Sequence, residues 1–402
     1  MRYYFKYFLI KVSDLILKFT NMKKTTFAQI AAILLMIVLF EACKREPPTC
    51  DCACKGNDST AVKVSIYATG LNNPRGLKFG ANNILYVAEA GTGGKDSSVG
   101  KCAQVAFPIG PYVGSRNGGR ISKISTSGVR STVTENLPSS KSNEIIGGDI
   151  QGVGDVSFIE GVGYAVLAGG GCSHGVPSIP NAVIRLNANG SWTMIANLSE
   201  WFMSHPTKVN NPGDFEPDGT PYSMITVKNE LYIIEPNHGD FIKVTTAGVV
   251  SRVVDLSAKL GHVVPTVLAY HDNNFYVGNL NTFPIVAGSA NIYKITPAGE
   301  VTTWASGLTT VLGITFDDKN RLYVLENTVG APSPTPGLGK IIRINENGRK
   351  ETIFSGLTVP TGITFGPDKN LYVSNNGFGA TAIGGGQVLK VEVTDCGMNK
   401  KY

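Results

Sequence analysis

A unit of about 40 residues recurs six times along the chain, and a repeat of that length allows few folds. Its last copy, residues 356–393, reads GLTVPTGITFGPDKNLYVSNNGFGATAIGGGQVLKVEV. Ile363 and Phe365 alternate with polar or small neighbours, and Pro367, Asp368, Lys369 and Asn370 supply a tight turn. Leu371-Tyr372-Val373 and Val388-Leu389-Lys390-Val391 then continue as short β-rich runs, which makes a three-stranded meander. Earlier copies begin at residues 70, 152, 219, 261 and 307, each with an aromatic or apolar strand pair. Meanders repeated at this period are propeller blades, so the chain is predicted to be an all-β, six-bladed β-propeller.

The way the ring closes is also legible. Five copies continue past a turn (Ser127-Gly128, Asn189-Gly190, Ala247-Gly248, Ala298-Gly299, Asn347-Gly348) into a fourth strand that ends in phrases such as Trp304-Ala305-Ser306-Gly307-Leu308. The sixth copy lacks that turn and strand. The same phrase precedes the first copy instead, as Tyr67-Ala68-Thr69-Gly70-Leu71, so residues 62–68 are predicted to pair onto the sixth blade and latch the circle. Closure of this kind leaves no long edge strand exposed, and a monomer is expected.

Only 16% of the residues are charged, against a usual share of roughly a quarter, and 47 are glycine, as suits a turn-rich β-protein. The formal charge of +6 is concentrated before Cys43, where six Lys/Arg face two Asp/Glu; the rest holds 30 basic and 28 acidic residues. With the bases scattered through strands and turns, nothing points to nucleic acid.

Met22-Lys23-Lys24, the apolar run 27–40 and Glu41-Ala42-Cys43 have the parts of a secretory signal: a charged start, a short apolar stretch and a small residue before the cut. A cysteine at the cut resembles a bacterial lipoprotein signal with Cys43 lipidated, although Phe40 and Glu41 differ from the usual residues there. Residues 1–42 are read as the signal, with translation starting at Met22, and an uncleaved anchor is disfavoured by the short apolar run. The expected product is an exported outer-membrane or cell-surface lipoprotein, on the periplasmic or extracellular face. Residues 43–60 read as a tether, 61–396 as the propeller and 397–402 as a tail.

Cys50, Cys52 and Cys54 in the tether suit disulfides in an oxidising compartment, or a soft-metal site without the paired spacing that would support one. Cys102 and Cys172 fall in the second-to-third-strand loops of adjacent blades and are a candidate disulfide, while Cys396 could meet the tether.

Aligning the six second strands places Glu89, Ala168, Glu235, Asn279, Glu326 and Asn375 at one common exit position. Three carboxylates and two amides facing the channel mouth would suit a hard divalent cation, Ca²⁺ or Mg²⁺. The same residues would equally serve to cap the loops that follow them. His238 and Arg75 stand on the same rim as candidate ligand contacts; Arg75 suits an anionic ligand or an ion pair to Glu89 or another rim carboxylate. No nucleophile elbow, His-Glu-x-x-His or phosphate-cradling motif occurs, so no catalytic residue is assigned.

Several phrases together resemble the ScyD/ScyE family. They are Asn73-Pro74-Arg75-Gly76-Leu77 with Leu85-Tyr86-Val87-Ala88-Glu89-Ala90-Gly91, Glu216-Pro217-Asp218-Gly219-Thr220-Pro221-Tyr222, Val264-Pro265-Thr266 with Tyr276-Val277-Gly278-Asn279-Leu280, and Pro360-Thr361-Gly362 with Leu371-Tyr372-Val373-Ser374-Asn375-Asn376-Gly377. More loosely, the blades resemble NHL repeats and gluconolactonase-like propellers. The first resemblance implies a secreted propeller with no defined reaction. The second implies a metal held by Glu, Asn and Asp, though no Asn-Gly pair opens the blade strands here and no exit Asp is present. Three readings follow: an exported, lipid-anchored module that binds a small molecule or a protein, a metal-dependent hydrolase of the lactonase type using the exit residues, and an architectural envelope protein.

Overall fold

The computed structural model describes residues 60–146 and 148–396; the signal, Cys43, Cys50, Cys52, Cys54 and the tail lie outside the described residues. Six antiparallel sheets stand around a common axis. Their inner strands are Pro74–Phe79, Val153–Ile159, Ser223–Val227, Pro265–His271, Val311–Phe316 and Gly362–Phe365, each packed on the next, with the sixth against the first. Each blade then steps outward through a meander.

The five repeated turns share one geometry. Gly128, Gly190, Gly248, Gly299 and Gly348 all have φ between +78° and +87°. In each, the amide of the glycine donates back to a carbonyl three residues earlier, as Gly128 does to Ser125 at 2.9 Å. A side chain at that φ is strained, which is why one residue type recurs there. The sixth blade needs no such turn. Its outermost strand is Thr60–Asn72, which pairs antiparallel with Ile383–Asp395 from Thr60 opposite Asp395 to Asn72 opposite Ile383. The latch is thus a few residues longer at each end than the sequence pattern indicates.

Alternation along the strands buries one apolar set on each side of every blade, and the core is six wedges, one per blade interface. Val64 enters the wedge between blades five and six, while Ala68 and Leu71 enter the wedge between blades six and one. The latch strand therefore glues two interfaces. At its outer end Asp395 binds Arg343, Arg321 and Lys319 at 2.7–2.8 Å, and Arg343 also reaches Glu351 and Thr60 Oγ1. Burial opposes the charge of Asp395, but these three cations outweigh it and hold the carboxyl well below the usual range.

Two elements stand outside the regular blades. In blade one, Val113–Ile124 and Arg130–Lys141 form an extended hairpin with a short fifth strand, Ile150–Gln151, beside it. Between blades two and three stands a two-turn helix, Leu198–Ser204, capped by Asn197 Oδ1, which accepts from the Glu200 amide at 3.1 Å.

Candidate functional site

The exit residues turn to their own blades. Glu89 is fully buried: it accepts from the Asn72 amide at 2.6 Å, from Arg120 at 2.8 Å and from Ser122 Oγ. Glu235, also fully buried, accepts from the amides of Thr220, Asn237 and His238 at 2.6–3.1 Å. Glu326 accepts from the Thr309 amide at 2.6 Å and faces Lys340. Asn375 accepts from the Thr358 amide at 2.9 Å, and Asn279 donates to the Val263 carbonyl at 2.9 Å. In every case the second strand's last side chain ties down the linker that feeds the blade's own inner strand. Each of these side chains is already committed to a backbone group of its own blade, with Arg120 on Glu89 and Lys340 on Glu326 supplying the positive charge, so the set does not fit a hard cation. Among the described residues no group of three or more His, Cys, Asp or Glu side chains is placed to hold a metal ion.

The mouth is built by other residues. Arg75 opens the inner strand of blade one and is buried, donating to the Gly377 carbonyl at 2.8 Å, the Ile150 carbonyl at 2.5 Å and Asp149 Oδ1 at 3.1 Å. Its ion-pair partner is Asp149, and Glu89 is taken by Arg120. Asp149 Oδ2 accepts from the Gln151 amide at 2.6 Å, and Gln151 also reaches the Tyr112 hydroxyl. Tyr112 donates to Glu216 Oε1 at 3.0 Å and stacks on His174 at 4.7 Å. Across from them the Arg75 guanidinium lies 5.9 Å from the centre of the Tyr222 ring, whose hydroxyl donates to the Thr361 carbonyl at 3.0 Å. The result is one polar network from blade six to blade three.

Electrostatics follow from enclosure. Burial pushes the Asp149 carboxyl up, against the pull of Arg75. It pushes Tyr222 up to about 12 and Tyr112 well above the ordinary phenol, with Glu216 and Asp149 adding to the latter. Both phenols stay neutral donors at any physiological pH. Deeper in the channel, Asp155 is raised to about 6 by burial, although it accepts from the Met224 and Val156 amides at 2.9 and 2.8 Å. Gly76 leaves room for it, since a Cβ there would sit 2.0 Å from Asp155 Oδ1.

Ser140, His174 and Glu216 form a series that invites comparison with a catalytic triad: Ser140 Oγ is 2.9 Å from His174 Nδ1, and His174 Nε2 is 3.1 Å from Glu216 Oε2. Ser140 and His174 are both fully buried, and Tyr112 lies over the imidazole. A hydroxyl that no substrate reaches is no nucleophile, so the series positions Tyr112 and Glu216 at the mouth. His238 has a similar duty: it is buried, and Nε2 donates to the Glu216 carbonyl at 2.8 Å. The disulfide Cys102–Cys172, S–S 2.10 Å, joins the loops of blades one and two beside this cluster, and Cys396 is disulfide-bonded as well.

Asp149, Gln151, Tyr112 and His174 carry no site assignment from the sequence pattern, and Glu216 and Tyr222 enter it only within a family-like phrase, not as ligand contacts. The available signal was departure from the repeat: all but Tyr222 sit in an overlong loop or linker or, like Gln151, in the extra strand Ile150–Gln151.

No family model matches the chain, and a search of curated proteins found no match either. Solved structures do resemble it. A structural-genomics protein of unknown function from Bacteroides thetaiotaomicron superposes with a TM-score of 0.52 at 15% identity, over 83% of this chain and 76% of that one. A glucose dehydrogenase gives 0.50 at 14% identity, over 82% and 99%. A gluconolactonase from Xanthomonas campestris gives 0.48 at 11%, over 83% and 90%. At these identities the first two likenesses speak for the β-propeller fold alone.

Proposed function

We propose that the chain is an exported, lipid-anchored β-propeller that binds a small ligand rich in hydrogen-bond donors, neutral or cationic, at its mouth. One observation carries the reading. The mouth's guanidinium, Arg75, is buried and spent on two carbonyls and Asp149, while Asp149, Gln151 and Tyr222 remain partly open. With its side-chain amide donating to Asp149, Gln151 has its carbonyl left to accept from a ligand. A pocket wall of acceptors, fixed by buried partners and flanked by an aromatic face, selects donors and repels anions. Ordering of the ScyD/ScyE-like phrases, which include Arg75, Glu216 and Tyr222, supports membership of that secreted family, and the signal-like segment ending at Cys43 supports export with a lipid.

The test is a thermal-shift screen of the mature protein against polyols, aldoses and amines beside their carboxylate counterparts. Neutral or amine members should raise the midpoint, acids should not, and Gln151→Ala should abolish the shift while leaving the unliganded midpoint within a few degrees. Silence across the panel, or preference for the acids, overturns the binding reading. Mass spectrometry of the membrane-bound protein checks the anchor separately: acylated Cys43 at the amino terminus is expected, and an unmodified residue there would exclude it.

A further inference from the structure

Charge is spread unevenly over the mouth end of the ring. The loops that follow the second strands of blades four, five and six, residues 280–289, 327–338 and 376–386, contain no Asp, Glu, Lys or Arg. Neither do residues 305–310 and 355–361, which link those blades. The matching segments of blades one to three are charged, and Lys95, Lys101, Arg116, Lys208 and Lys259 are all exposed there. The uncharged half shows large apolar side chains to solvent: Phe283 is 53% exposed, Val286 61%, Ile383 42% and Leu338 37%. Phe107 is exposed too, but in a blade-one loop that also carries Lys95 and Lys101.

The uncharged loops are held in place by their own hydrogen bonds. Within the first, Asn281 Nδ2 donates to the Ser289 carbonyl at 2.8 Å, and the Gly288 amide donates to Thr309 Oγ1 at 3.0 Å in the linker to blade five. The Ile285 amide crosses to the Pro332 carbonyl of the second loop at 2.8 Å. The second loop is closed by the Thr335 amide on Thr328 Oγ1 at 2.9 Å, and the third by Asn376 Nδ2 on the Gly385 carbonyl at 3.0 Å. Pro284, Pro332 and Pro336 are exposed and have no N–H that contact would strip of water. A face ordered in advance costs little further entropy to dock.

We propose that this uncharged half-face docks a second copy of the chain, the two related by a two-fold axis. The inference goes beyond the mouth reading and does not depend on it. Size agrees: ten residues of the first loop, ten of the second and seven of the third are at least partly exposed, and one side of a standard interface contributes roughly 20–30. Charge agrees as well. A two-fold axis sets a patch against itself, so a half-face without charge meets its copy at no electrostatic cost, whereas the cations over blades one to three would oppose their own kind. Depletion of charge is also what marks the centre of a protein interface. A membrane fits less well, because these loops bring no cation to acidic headgroups. Thr60, through which any lipid-bearing segment joins the ring, pairs with Asp395 at the end opposite the mouth. Ring closure removes association through strand edges and leaves association through a face open.

Sedimentation velocity of the mature chain carrying Cys43→Ser, so that no acyl group adds an association of its own, tests the proposal without a ligand. Between about 1 and 200 µM the weight-average coefficient should rise from monomer to dimer, with a midpoint in the micromolar range. Phe283→Asp/Val286→Asp and, separately, Leu338→Asp should each raise that midpoint about tenfold or more by setting like carboxylates against each other. Phe107→Asp should leave it unchanged. All these positions are exposed, so the variants should keep the wild-type melting temperature. A monomer throughout overturns the proposal, as do growth past the dimer, a dimer that withstands both acidic variants, and a dimer lost equally in Phe107→Asp. Flotation of the same protein with phosphatidylcholine vesicles should recover none of it; binding abolished by Phe283→Asp/Val286→Asp would give the face to lipid and overturn the second copy.

Discussion

The residues that end the second strands look like ligands and behave as fasteners. Glu235 is the clearest case, because one buried carboxylate serves three backbone amides. Glu235→Ala should therefore destabilise the fold by about 2–4 kcal/mol, read by urea denaturation, through amides left unpaired; an unchanged midpoint would refute the capping role. Sequence alignment found the position and left its use open, since a carboxylate at a strand exit looks the same whether it meets a metal or an amide. Asp155 argues in the opposite sense. Its folded pKa, raised to about 6 by burial, means the native state holds the proton more tightly than the unfolded chain does. Its contribution to stability is full below about pH 4 and is lost as pH rises through about 6, a change of about 3 kcal/mol. Denaturation profiles of wild type and Asp155→Asn should diverge across that window, and parallel profiles would refute it.

At the scale of elements, the latch bears the largest share of closure. Thr60–Asn72 supplies Val64, Ala68 and Leu71 to two blade interfaces and ends beside the cluster of Asp395, Arg343 and Glu351. Deleting residues 60–68 should expose the edge of Ile383–Asp395 and convert the protein to aggregates on size-exclusion chromatography. A monomeric truncate that unfolds cooperatively would contradict the latch. The latch and blades were legible because strand alternation and glycine turns are local signals repeated six times. The mouth was not, because Tyr112, Asp149, Gln151 and Glu216 lie in segments that interrupt the repeat and meet only through the ring. Arg75 was noticed, but its partner Asp149 is 74 residues away and no local pattern links them.

Considered whole, the molecule joins a regular ring to an irregular crown. The regular part, six wedges of apolar side chains, is what the chain has in common with solved propellers at only 14–15% identity, since a fold of this kind needs alternation rather than particular residues. The irregular part concentrates on blades one to three: the disulfide-joined loops, the extended hairpin and the insertion that follows the helix Leu198–Ser204 all stand there. An architectural protein needs no such crowding of buried polar side chains around one mouth, each of which costs desolvation unless it is bonded. The most direct measurement is a crystal structure with the strongest neutral or amine ligand from the thermal-shift screen. The account predicts that ligand against Asp149, Gln151 and Tyr222, with its donors on the first two and its apolar face on the ring. Density beside Glu89, Glu235 or Glu326, or anywhere away from the Arg75–Asp149 pair, would contradict it.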